Sequence, residues 1–90
     1  MVWGNVGQDG AVQGGTGDFW VTKEATGRYS IAFQHPFPAA PSATAVIWGD
    51  GWYTTDNAQA AVLEAGRAVI VTGNSDGALS DRGFSFQIIG

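Results

Sequence analysis

Arg28-Tyr29-Ser30-Ile31-Ala32-Phe33-Gln34 decides the fold. Tyr29, Ile31 and Phe33 fall on one side of a period of two, and Arg28, Ser30, Ala32 and Gln34 on the other. That is the pattern of an extended strand with one dry and one wetter face. Upstream, Ala25-Thr26-Gly27 is a turn that leads back into a second alternating segment, with Phe19, Val21 and Lys23 opposite Trp20, Thr22 and Glu24. Gly14-Gly15-Thr16-Gly17 breaks the chain before it, and Asp9-Gly10, set between Val6 and Val12, predicts a two-residue hairpin turn. Downstream, His35-Pro36-Phe37-Pro38-Ala39-Ala40-Pro41 cannot continue a central ladder, because proline lacks the amide donor and holds its predecessor extended. It reads as a crossing loop.

Strand character resumes from Ala43 to Trp48, ended by a tight turn at Gly49-Asp50-Gly51. Val69, Ile70 and Val71 mark another strand starting near Arg67, and Phe84, Phe86 and Ile88 a last one, with Asn74-Ser75-Asp76-Gly77 turning between them. The run from Asn57 to Ala65 has good helix formers and an Asn at the cap position, yet it is too short to hold a helix alone. Gly66 closes it into a strand and turn. The expectation is one domain over residues 1–90, an all-β, small antiparallel β-sandwich of jelly-roll-like type with about six to eight short strands.

Ninety residues without a cysteine exclude a multidomain enzyme, a disulfide framework and a thiolate metal site. Such a chain buries roughly 63% of its unfolded surface, so its core is thin. Four basic against eight acidic residues give a net charge of -4, the wrong sign for nucleic acid or acidic lipid. Charged residues make up 13% of the chain, against about 25% in an ordinary soluble domain. The surface must then be covered by uncharged polar side chains or by further copies of the chain. No apolar run is long enough for a membrane span, and Met1-Val2-Trp3-Gly4 lacks the basic start of a signal peptide.

Reactive chemistry finds little support. A hydrolytic triad needs a histidine base beside a nucleophile and an acid, and the single histidine, His35, precedes a proline in the crossing loop. The pairs Asp50 with Asp56 and Asp76 with Asp81 could in principle serve glycoside hydrolysis, but each lies among turn residues, where aspartate normally accepts backbone amides. Asn74, Asp76 and Asp81 offer oxygens without the acidic run or distal glutamate of a calcium loop. The glycine cluster lacks the lysine and following helix of a phosphate cradle. The expectation is no enzyme, no metal and no cofactor.

Trp48-Gly49-Asp50-Gly51-Trp52-Tyr53-Thr54-Thr55-Asp56-Asn57 is the most suggestive cluster. Aromatic rings pack on the C–H faces of sugars while Asp and Asn bond their hydroxyls, so Trp48, Asp50, Trp52, Tyr53, Asp56 and Asn57 are candidate ligand-binding residues. Trp and Tyr also anchor protein interfaces, burying much area with few rotamers to lose. Contact with a partner ranks first here, core placement second and sugar third. Alternation turns Trp20 away from Phe19 and Val21, Ile70 away from Val69 and Val71, and Ile89 away from Phe84, Phe86 and Ile88. A second buried surface between identical subunits accounts for all of these, so Trp20, Trp52, Tyr53, Ile70 and Ile89 are the expected interface.

The succession Asp9-Gly10, Gly15-Thr16-Gly17, Phe19, Val21, Gly27, Tyr29, Ile31, Phe33 and Pro36-Phe37 resembles the C-terminal β-sandwich head modules of phage tail-fibre-like and bacterial surface proteins. Val69, Val71, Thr72, Asn74-Ser75, Gly77, Asp81-Arg82, Phe84-Ser85-Phe86 and Ile89-Gly90 extend the likeness over most of the chain. The aromatic-proline step and terminal Ile-Gly are also similar to H-type lectin domains, with C1q-like and tumour-necrosis-factor-like heads a more distant analogy. The resemblance implies a homotrimeric, exposed head on a virion or extracellular surface. Its partners would be itself, other virion or surface proteins, or a cell-surface glycan. No shaft precedes the module in these ninety residues, so it is expected to stand alone or decorate another particle if Met1 is the natural start. The implied function is a non-enzymatic structural and recognition module, with a carbohydrate-binding lectin as the alternative.

Overall fold

The computed structural model describes residues 1–48 and 55–90. Eight strands and no helix are found among them: β1 (Val2–Val6), β2 (Val12–Gly15), β3 (Phe19–Ala25), β4 (Arg28–Phe33), β5 (Ser42–Ile47), β6 (Asn57–Leu63), β7 (Arg67–Gly73) and β8 (Phe84–Ile89). They form two four-stranded antiparallel sheets, a front sheet in the order β2-β1-β8-β5 and a back sheet in the order β3-β4-β7-β6. The arrangement is an all-β fold consistent with a small β-sandwich. Residues 57–63 are strand, as their closure by Gly66 predicts, and the proline-bearing segment 34–41 carries the chain from the back sheet to the front.

Sequence alternation becomes layering. Tyr29 and Ile31 of β4, Ile70 of β7, and Phe84, Phe86 and Ile88 of β8 point into one core, joined by Val2, Val6, Phe19, Phe33 and Ala68. Each large apolar side chain fully buried there contributes about 1.5–3 kcal/mol relative to exposure. Aromatic pairs bridge the two sheets: Phe19 meets Phe86 edge-on with ring centres 5.1 Å apart, and Tyr29 lies 5.0 Å from Phe84. Gly4 makes room for the first pair, since a Cβ there would fall 2.5 Å from the Phe19 ring. Phe37, in the crossing loop, adds an edge-on contact to Phe33 at 5.1 Å.

Two turns differ from expectation. The β1–β2 connection is longer than two residues. It spans 7–11, with Gly7 N–H donating to Ala11 O at 2.9 Å, Gly10 in the left-handed region at φ +88°, and the Asp9 carboxylate accepting the Ala11 amide at 3.0 Å. A register shift follows it between Asn5 and Val6, where Gln13 is the one residue of β2 without a partner on β1. Asn74–Ala78 forms a tip closed by a Gly73–Leu79 bridge, but it does not pair β7 with β8. Those strands belong to different sheets, and residues 79–83 carry the chain across.

Ile70 is the main correction. The alternation expected it on the outer side, opposite Val69 and Val71, as an interface residue. Its pairing with Tyr29 instead sets it in the core, fully buried. Val69 takes the outer parity with Ser30 and Val62 and is still covered by its neighbours. In a central strand flanked on both edges, three consecutive apolar residues carry no usable period.

Candidate functional site

Among the described residues, the front sheet has an outer face unlike that of the back sheet. Its strands read VWGNV, VQGG, SATAVI and FSFQII, without one charged residue. Because Val2, Gly4 and Val6 turn inward on β1, Trp3 and Asn5 turn outward. By the same parity Ser85, Gln87 and Ile89 project from β8, and Ser42, Thr44 and Val46 from β5. Register aligns them in cross-strand rows: Trp3, Gln87 and Thr44; Asn5, Ser85 and Val46; Ile89 beside Ser42. Ser85 donates its hydroxyl to Asn5 Oδ1 at 2.7 Å, fixing the middle row. Trp48 continues the β5 parity, its amide bonded to Gly83 O at 2.9 Å.

Large apolar groups stand among these amides and hydroxyls. Val46 is 62% exposed, Ile89 55%, Trp48 42% and Trp3 40%. Two shallow depressions run along the β5–β8 ladder, one beside Thr44, Val46, Ser85 and Gln87, the other beside Ser42, Thr44, Gln87 and Ile89. The face therefore has both projections and hollows.

The back sheet carries charge instead: Lys23 and Glu24 on β3, Arg28 on β4 and Arg67 on β7. Each has a partner in its own chain. Arg28 Nε lies 3.1 Å from Glu24, Arg67 Nε 2.8 Å from Glu64, and Lys23 Nζ 3.1 Å from Asp81. Asp81 also accepts the Gly27 amide at 2.8 Å. That amide holds its carboxyl below the usual carboxylate range, with Lys23 and Arg82 acting in the same direction against an opposing effect of burial. Next to it, Thr72 Oγ1 donates to Ser80 O at 2.6 Å, and Arg82 bonds Asp56, Ser80 Oγ and the Asp81 carbonyl at 3.1, 2.9 and 2.8 Å. Residues 80–82 thus form a polar latch tying the crossing segment to the β3–β4 turn and to β7.

The expected site residues scatter over this frame. Asp50, Trp52 and Tyr53 lie outside the described residues. Trp48 flanks the front face. Asn57 is exposed at the start of β6, its amide donating to Thr55 O at 3.4 Å. The Asp56 side chain is only 3% exposed and is held by Arg82, so its oxygens serve the latch and not an exposed ligand surface. Trp20, 60% exposed, stands on the outer face of the back sheet, and Ile89 on that of the front. With Ile70 in the core, one patch cannot contain all three.

Trp3 and Val46 are front-face residues that the sequence reading did not single out. The signal for both was the two-residue period, in Val2-x-Gly4-x-Val6 and in Ala43-x-Ala45-x-Ile47. It is weak there because three of the inward positions, Gly4, Ala43 and Ala45, hold small residues. Among the described residues no group of three or more His, Cys, Asp or Glu is placed to hold a metal. Compared with protein-family models, curated proteins and solved structures, the chain matches none.

Proposed function

We propose that this chain is a non-enzymatic structural and recognition module that assembles with copies of itself and docks to a neighbouring protein or receptor. In the tail-fibre-like setting that its sequence resembles, it would be a homotrimeric head on a virion or extracellular surface. The observation that carries the reading is the uncharged outer face of the front sheet, where Trp3, Val46, Trp48 and Ile89 stand in solvent among Asn, Gln, Ser and Thr. Exposed apolar groups grouped on one face mark contact surfaces, and interface centres are depleted in charge. The carboxylates at 56 and 81 support the non-enzymatic part of the reading, because both are occupied by structural partners.

Sedimentation velocity tests it. The expected result is a species of two or more chains at micromolar concentration, three for the trimeric head. A single-chain mass at every accessible concentration would refute self-assembly. The carbohydrate-binding alternative forecasts instead a monomer that gives hits on a glycan array and loses them on Trp52→Ala.

A further inference from the structure

Resting on the self-assembly reading, we infer that copies of this chain pack through their front sheets, leaving the back sheets in solvent. The partner of the uncharged face is the same face of one other copy, a two-fold contact that closes at two chains and so takes the place of the three-chain head.

Charge selects this occupant. The chain carries -4 overall, so copies repel at long range and can meet closely only where no like charges are brought together. The strands of the front sheet meet that condition. A contact through the back sheet would strip water from Glu24, Arg28 and Arg67, whose partners are already supplied within the chain, and would gain no new pairing. A strongly charged partner laid on the front sheet would find no complementary charge in its strands, whereas a second front sheet brings none that needs one.

Relief agrees. Val46 and Ile89 project beside the two depressions of the β5–β8 ladder, so one face supplies the knobs and the hollows that its copy needs. Asn5, Ser85, Gln87 and Thr44 can satisfy one another across such a contact, being both donors and acceptors. Trp20 stays outside it.

Charge-swap complementation decides the matter. One variant carries Thr44→Lys and Val46→Lys, the other Thr44→Glu and Val46→Glu. All four changes are at exposed positions of β5, and circular dichroism verifies that each variant is folded. Each alone should self-associate on the order of a hundredfold more weakly than wild type, since like charges would face each other in a desolvated contact. Mixed in equal amounts, the two should recover an assembly of wild-type mass. Thr22→Glu on the back sheet should leave the mass unchanged. If wild type assembles and both variants still do so alone, the contact lies elsewhere and this inference fails while self-assembly stands. If wild type is monomeric throughout, self-assembly itself falls, and a Trp-fluorescence response to glycan that Trp3→Ala removes would give the face to carbohydrate. Loss of assembly without recovery on mixing would also overturn the face-to-face contact.

Discussion

The two sheets share a core and differ in almost everything they show to water. Both send aromatic and branched side chains inward, and the Phe19–Phe86 and Tyr29–Phe84 pairs belong equally to front and back. Outside, the back sheet is held by ion pairs and a polar latch, while the front presents amides, hydroxyls and exposed apolar groups with no charge in its strands. An outer face is free to vary without touching the fold. When charge is drawn away from one face in a chain this small, the cause is more naturally sought in what that face meets than in stability.

Removing a shared core residue should have the largest effect. Phe84→Ala empties a fully buried site between Tyr29 and Phe86, and should cost about 3–5 kcal/mol in a denaturant titration. A loss below about 1 kcal/mol would mean the sheets do not share this core. Next comes the turn that anchors the back sheet to the latch. Gly27 has φ +67°, and a Cβ there would fall 2.6 Å from Thr72 O and 2.8 Å from Ser80 N. Gly27→Ala should therefore destabilise by about 1–3 kcal/mol, read by thermal unfolding. Thr72→Val keeps the shape of a buried side chain and deletes its bond to Ser80 O, for about 1–2 kcal/mol.

Acid separates the two faces without a core mutation. Asp81 titrates below its ordinary 3.8 in the folded chain, so its contribution is complete above that value and is lost as the pH falls through the lower folded-state value. Wild type should lose melting temperature across this range, and Asp81→Asn should start lower and lose less. Equal acid sensitivity in the two proteins would remove the latch from the account. The smallest effect belongs to Trp20→Ser on the exposed back face, expected to stay within about 0.5 kcal/mol in stability and to leave the assembled mass unaltered. A drop in mass would make the back sheet a contact surface.

Where one large apolar residue alternated with a polar one, the fold was legible. Tyr29, Ile31 and Phe33, and again Phe84, Phe86 and Ile88, face inward as their period requires. Ile70 was misplaced because a fully covered central strand has no polar residue to mark its outer side, and only pairing with Tyr29 decides its parity. The length of the first hairpin was missed because Asp9-Gly10 marks a turn without stating how many residues flank it. Of the candidate site, Ile89 and Trp48 were visible as aromatic or terminal features, whereas Trp3 and Val46 emerge only once β8 brings β1 and β5 into one plane. No local pattern announces which distant strands become neighbours.

That last point bears on biosynthesis. β8 is the last of the eight strands to be made, yet it sits inside the front sheet between β1 and β5. A nascent chain emerging from the ribosome can complete the back sheet early, because β3, β4, β6 and β7 all precede β8. Until β8 arrives, β1 and β5 wait with a vacant slot between them and with no charge to deter a stray strand from filling it.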